Sequence, residues 1–194
     1  MIPDEVLAAL LRVVQALEAL RVPYFIGGSV ASTAWGLART TNDADIVAFL
    51  QPAHVAPFTA QLPPHDYYVD AAAIHEAILR RGSFNLIYQP TMFKIDVFVP
   101  MPRPFDRSAE ARARTIWADD LETAQLRLAS PEDIIVQKLV WYRMGGETSE
   151  RQWLDVQAVL KVQAPDLDQA YLKQWAERLG VDDLLERVRA AAGI

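Results

Sequence analysis

The sequence predicts an α+β fold: a mixed β-sheet flanked by helices over residues 1–125, joined to a helical C-terminal subdomain over 126–194, the whole packed as a single compact unit. Three observations predict it. Apolar residues near the N-terminus recur at steps of three and four, the mark of an amphipathic helix. Short runs of strand-forming residues follow, each bounded by Gly, Pro or Asn. From Ser130 onward only helical patterns with capping residues remain.

The first helix rests on Val6, Leu10, Val13, Leu17 and Leu20, widened by Leu7 and Val14, and Pro23 stops it. Residues 24–26 form a short buried strand that runs into Gly27 and Gly28, and residues 30–35 resume as helix. A strand is expected over 45–49, broken at Gln51 and Pro52, with Pro52 opening the next helix. After Pro63 and Pro64 come an extended piece over 67–69 and an Ala-rich helix over 71–81, which Gly82 ends. Strands over 84–88 and 92–99 flank a hairpin turn at 89–91. Residues 103–114 are polar and helix-compatible, and 121–128 extended or irregular. Ser130-Pro131-Glu132-Asp133 caps a helix running to Gly145, and Ser149 to Gln152 form a capping box for a helix to about Gln163. Two shorter helices, over 167–179 and 181–191, complete the chain.

Composition bounds the function. At 194 residues, with 52 % apolar and 23 % charged residues, the chain can bury one substantial core. It has no cysteine, which excludes disulfides, thiolate zinc sites and a cysteine nucleophile. His54, His65 and His75 do not fall at zinc-binding spacing, and Trp141, Trp153 and Trp175 lie in helical patterns as core residues. A formal net charge of -6 disfavours simple phosphate-backbone binding, so any phosphate chemistry needs a metal or a local basic pocket. The acidic N-terminal "MIPDEVLAAL" and the lack of an apolar run of about 18 residues point to a cytoplasmic location with no membrane partner.

The chemistry resides in "FIGGS" and "TTNDADIV". Side chains of a strand alternate with period two, so Asp43 and Asp45 project to one side, with backbones roughly 7 Å apart. That spacing suits one metal, or a pair about 4 Å apart, and a divalent cation relieves the repulsion of two like charges. Asp96, inside the strand-forming "MFKIDVFV", needs a cation as well: a metal shared with Asp43 and Asp45, or an ion pair with Lys94 or Arg39. A strand running into Gly27, Gly28 and Ser29 and then a helix offers backbone amides, a positive dipole end and a hydroxyl to an anion. Arg39 and Thr40 precede the carboxylate strand and either reach a triphosphate or cap the loop.

"IGGS", then "DADIV" 14 residues after its serine, then the lone aspartate of "FKIDVFV" resemble the DNA polymerase β-like nucleotidyltransferase superfamily, whose order is Gly-Ser, Asp-x-Asp/Glu and a third carboxylate. With "RTTNDADIV", "SPEDIIVQKLVWYR" and "SERQWLDVQAVL", the chain looks like the small nucleotidyltransferases related to AbiEii-type toxins, over most of residues 20–160. The resemblance implies a nucleotidyltransferase-type sheet and metal-dependent transfer of an NMP from an NTP to an acceptor hydroxyl, with release of pyrophosphate. It implies Gly28 and Ser29 at the nucleotide phosphates, two Mg²⁺ ions (Mn²⁺ as a substitute) on Asp43 and Asp45, and Asp96 activating the acceptor. By the same resemblance Lys138 and Asp155 contact the nucleotide. From the residues alone, Lys138 can equally pack its stem in an apolar helix, and Asp155 can pair with Arg151. The acceptor classes implied are RNA, including tRNA, and small molecules, and a toxin-type member implies a cognate antitoxin. The alternative is a non-catalytic nucleotide- or partner-binding member of a toxin–antitoxin pair.

Overall fold

The computed structural model describes residues 4–37, 41, 43–118 and 124–194. Its contacts divide into two units: Met1–Gly27 with Thr40–Leu128, and Gly28–Arg39 with Ala129–Ile194.

The first unit is built on a seven-stranded mixed sheet. Its strands are β1 (Tyr24–Ile26), β2 (Asp43–Ala48), β3 (Tyr67–Tyr68), β4 (Ser83–Tyr88), β5 (Phe93–Phe98), β6 (Arg114–Trp117) and β7 (Gln125–Leu128), in the order β3-β4-β5-β2-β1-β7-β6. β2 lies parallel to β5 and antiparallel to β1, and β1 lies parallel to β7. β3, β4 and β5 form an antiparallel run, as do β6 and β7. Along β2, Ala44, Ile46 and Ala48 are buried while Asp43 and Asp45 are partly exposed; along β5, Phe93, Ile95 and Val97 are buried while Lys94 is exposed. Period two thus gives the sheet an apolar face and a face that carries the charges.

Helix α1 (Asp4–Ala19) buries the expected stripe, Leu10, Val13, Val14 and Leu17, and Tyr67 of β3 donates its hydroxyl to the Ala9 carbonyl at 2.8 Å. Pro52 opens a 3-10 turn (Pro52–His54) that leads into α3 (Val55–Thr59), which in chain order follows α2 (Gly28–Trp35) of the second unit. Asp70 caps α4 (Ala71–Arg80), accepting from the amides of Ala72 and Ala73. The left-handed residue that ends α4 is Arg81 (φ 52), where Gly82 was expected to fill that role. Helix α5 (Pro104–Arg112) occupies the polar segment, and the strand after it, β6, carries no clear pattern in the sequence because "RTIW" is short and half polar. The segment before Ala129 is ordered strand as β7, while residues 121–123 of that expectation lie outside the described residues.

The second unit is helical: α2 (Gly28–Trp35), α6 (Pro131–Met144), α7 (Glu150–Gln163), α8 (Gln169–Leu179) and α9 (Asp182–Ala192). Ser130 caps α6 and Asp168 caps α8 through side-chain oxygens that accept backbone amides. Helix α2 packs on α6 and α7, and Ile134, Ile135, Leu139, Val156, Val159, Leu172, Leu184 and Val188 fill the interior. A Cβ at Gly36 would lie 2.8 Å from the Ser32 carbonyl oxygen and 3.1 Å from the Val159 amide nitrogen, so the end of α2 meets the α7 backbone directly. Of the tryptophans expected in the core, Trp175 is buried; Trp141 and Trp153 are half-exposed. Trp153 instead stacks at 5.2 Å on Tyr142 and lies under the Arg187 guanidinium, which keeps an aromatic body partly wet. Among the described residues no helix is long and apolar enough to cross a membrane.

Candidate functional site

The carboxylates come together through strand register. β2 begins at Asp43, earlier than the expected 45, so both aspartates lie within the strand and on the face opposite Ala44 and Ile46. The parallel pairing of β2 with β5 sets Asp45 against Asp96 and Asp43 against Lys94. Neighbouring strands lie about 4.8 Å apart, and residues in register share a face, so Asp43, Asp45, Lys94 and Asp96 form one four-cornered charged patch. Asn85 of β4 stands in register with Asp96 from the other side and adds an amide to the same face.

Thr41 and, within the patch, Lys94 orient these carboxylates. The Thr41 hydroxyl, largely buried, lies 3.0 Å from Asp43 Oδ1 and 2.9 Å from the Asp43 carbonyl oxygen and can donate to either. Lys94 Nζ stands 2.7 Å from Asp96 Oδ2, with the two side chains 47 % and 16 % exposed. This hydrogen bond, with the charges of Asp96, Asp43 and Asp45, raises the Lys94 pKa, so its ammonium persists above the usual lysine range. Lys94 is the structural partner of Asp96 that the sequence allowed. Thr41, two residues before Asp43, was legible by the same period-two logic, whereas Asn85 carried no signal before β4 was paired.

Among the described residues no group of three or more acidic or histidine side chains is drawn together closely enough to hold a metal ion as the side chains stand. Three carboxylates nonetheless share one face, and their hard, acceptor-only oxygens suit Mg²⁺ or Mn²⁺ in kind. The donor set therefore fits a divalent cation in chemistry and backbone placement, with Asp96 turned toward Lys94.

The chain leaves the sheet next to this patch. β1 runs antiparallel to β2, and the Gly27 amide donates to the Asp45 carbonyl oxygen at 2.8 Å. Gly28 then takes φ 54, a left-handed conformation that a Cβ would strain, which explains the second glycine.

In the second unit, Gly28 and Ser29 form the first turn of α2, and Ser29 is buried. Lys138 on α6 and Asp155 on α7 meet as a buried pair, Nζ to Oδ2 2.9 Å, with side chains 6 % and 10 % exposed. The Ser32 hydroxyl lies 3.4 Å from the same Asp155 oxygen and 3.2 Å from the Ser29 carbonyl oxygen. A polar chain thus runs from Lys138 through Asp155 and Ser32 to the backbone of Ser29. Arg39 and Thr40 lie outside the described residues.

A separate cleft of about 390 Å³ lies beside Tyr24, at the start of β1, where Tyr24 pairs with Ala48 rather than with the carboxylate end of β2. Four of its polar groups pair with one another. Tyr24 donates to Glu18 Oε1 at 2.7 Å, and burial with that carboxylate raises the phenol pKa far above its ordinary value. Arg127 pairs with Glu110 at 3.0 Å.

No family model matches this sequence, and no curated protein does. Solved structures do. A nucleotidyltransferase-like antigenic protein of Paracoccidioides brasiliensis aligns with a TM-score of 0.53 and 17 % identity, over 96 % of this chain and 94 % of that one. ANT(2")-Ia, solved in complex with adenylyl-2"-tobramycin, aligns with a TM-score of 0.58 and 12 % identity, over 89 % and 95 % of the two chains. The lincosamide antibiotic adenylyltransferase LnuA, bound to lincomycin, aligns with a TM-score of 0.51 and 12 % identity, over 79 % and 95 %. Likeness at these identities is one of fold. The seven-stranded mixed sheet, with its carboxylates on β2 and β5, is the sheet of a nucleotidyltransferase-type fold.

Proposed function

We propose that this protein is a nucleotidyltransferase that moves an NMP from an NTP to an acceptor hydroxyl and releases pyrophosphate. The observation that carries the proposal is the parallel register of Asp45 with Asp96, with Asp43 two residues earlier on the same face. Fold likeness to two adenylyltransferases supports it.

In this reading Asp43 and Asp45 hold Mg²⁺ or Mn²⁺, which when bound supplies neutralisation of the triphosphate. Thr41 fixes the rotamer of Asp43. Asp96, once released from Lys94, accepts the proton of the attacking hydroxyl at a carboxylate oxygen. Gly28 and Ser29 offer amides and a hydroxyl to the phosphates, with Arg39 and Thr40 assigned to the same triphosphate. Lys138 and Asp155 act as positioning residues: their buried pair, through Ser32, steadies the turn that carries Ser29.

The acceptor follows one of two lines. ANT(2")-Ia was solved with adenylyl-2"-tobramycin and LnuA with lincomycin, which supports a small-molecule hydroxyl; the AbiEii-type resemblance supports RNA, including a tRNA end, with a cognate antitoxin protein as partner. Incubation with each α-labelled NTP and Mg²⁺ or Mn²⁺, with total RNA in one arm and hydroxyl-bearing small molecules in the other, tests both. Label is expected on one acceptor with wild type and is lost with Asp45→Asn; transfer retained by a folded Asp45→Asn protein refutes the mechanism.

One observation favours a second reading. Asp96 is held by Lys94, as it would be in a non-catalytic protein that binds a nucleotide or a partner of a toxin–antitoxin pair. That reading predicts nucleotide binding without transfer in every arm.

A further inference from the structure

The carboxylate face already carries a cation of its own. Lys94 stands in register with Asp43, its ammonium lies 2.7 Å from Asp96 Oδ2, and nearly half of its side chain is exposed. An ammonium is a compact point charge on a flexible stem, so it can leave Asp96 without disturbing the strand. A metal ion that recruits Asp96 must displace it.

We infer that Lys94 is a resident counter-ion of this face, which a divalent metal displaces, so that metal alone is held weakly and metal arriving with a triphosphate is held tightly. This rests on the proposed nucleotidyl transfer and concerns the loading of that same site. Among the described residues the three carboxylates share this face with the Lys94 ammonium, so the patch is part-neutralised before any metal arrives. Two positive charges competing for one carboxylate oxygen repel each other, and the ammonium, once displaced, needs a new anion. The phosphate oxygens of the incoming nucleotide are that anion. Lys94 then serves at two stations: on Asp96 before loading and on a phosphate after it.

The test is a Mn²⁺ titration, followed by electron paramagnetic resonance, of wild type, Lys94→Met, Lys94→Gln, Lys94→Arg and Asp45→Asn, each with and without a non-hydrolysable NTP analogue. Thermal melts check that every variant is folded. Without nucleotide, Lys94→Met and Lys94→Gln are expected to bind Mn²⁺ about tenfold or more tighter than wild type, with Lys94→Arg as weak as wild type. With the analogue, that advantage is expected to vanish or reverse. Neutral variants that bind bare Mn²⁺ no tighter than wild type overturn the inference, and if wild type still loses metal through Asp45→Asn and still transfers label, the nucleotidyl reading stands. Absence of metal binding in every protein, with no transfer, overturns both together.

Discussion

Asp155→Ala removes one half of a buried ion pair, and its effect separates a positioning role from direct nucleotide contact. At 2.9 Å and an effective dielectric of about 20, the Lys138–Asp155 attraction is about 6 kcal/mol before desolvation is subtracted. Without Asp155, the Lys138 ammonium stays on α6 with only 5 % of the residue exposed, and an uncompensated buried charge costs about 3–5 kcal/mol. Lys138→Met takes the cation away from the Asp155 carboxylate, which keeps the Ser32 hydroxyl within reach. Replacing both, as Lys138→Met with Asp155→Leu, removes both charges and restores stability to within about 1 kcal/mol of wild type or above it. Urea unfolding followed by tryptophan fluorescence measures the cycle, because Trp141 on α6 and Trp175 on α8 report on the helical unit. A coupling of about 3 kcal/mol or more is expected. Single variants as stable as wild type that have lost nucleotide binding would refute the positioning argument and return both residues to the nucleotide.

The close approach of α2 to α7 makes Gly36→Ala destabilising by about 1–3 kcal/mol in the same urea assay, because the atoms it would strike are backbone and cannot turn aside. Tyr67 supplies a pH effect. Burial, with Tyr88 and Asp66 nearby, pushes its phenol from the ordinary 10.0 up to about 12. The folded state therefore holds this proton more tightly than the unfolded chain. The stability it contributes is complete below pH about 10 and is lost as pH rises toward about 12. Comparing Tyr67→Phe with wild type across that window should show a shallower decline in the variant; parallel curves would contradict the assignment.

Local pattern made part of the site legible. Gly28 was readable as part of a strand running into glycines and then a helix, and Asp43 and Asp45 because period two puts both on one side; the left-handed conformation of Gly28 shows only in the structure. The third carboxylate was a guess about register, since nothing local to Asp96 says which strand will lie beside it; parallel pairing across fifty residues is a property of the whole sheet. Lys94 was visible as a neighbour of Asp96 but not of Asp43, for the same reason. Arg81 took the left-handed turn although Gly82 was at hand, because helix α4 ends one residue sooner than its composition suggests. Strand β6 was unreadable from four residues, two of them polar, whose order comes from pairing with β7.

Helix α2 belongs by its contacts to the helical unit, yet it is encoded between two neighbouring strands of the sheet. Ser32 and its partner Asp155 are separated by 123 positions along the chain. On a ribosome adding about 5–20 residues per second, α2 emerges roughly 6–25 s before the helix that will cover it. During that interval a short, apolar segment with no acidic residue in its first turn must wait without its partners while β1 and β2 can already pair around it. The sheet is thus free to form during synthesis, whereas the turn bearing Gly28 and Ser29 matures only after α7 has been made. Ribosome-stalled chains ending before α7 should accordingly protect the backbone of β1 and β2 while leaving α2 open to protease.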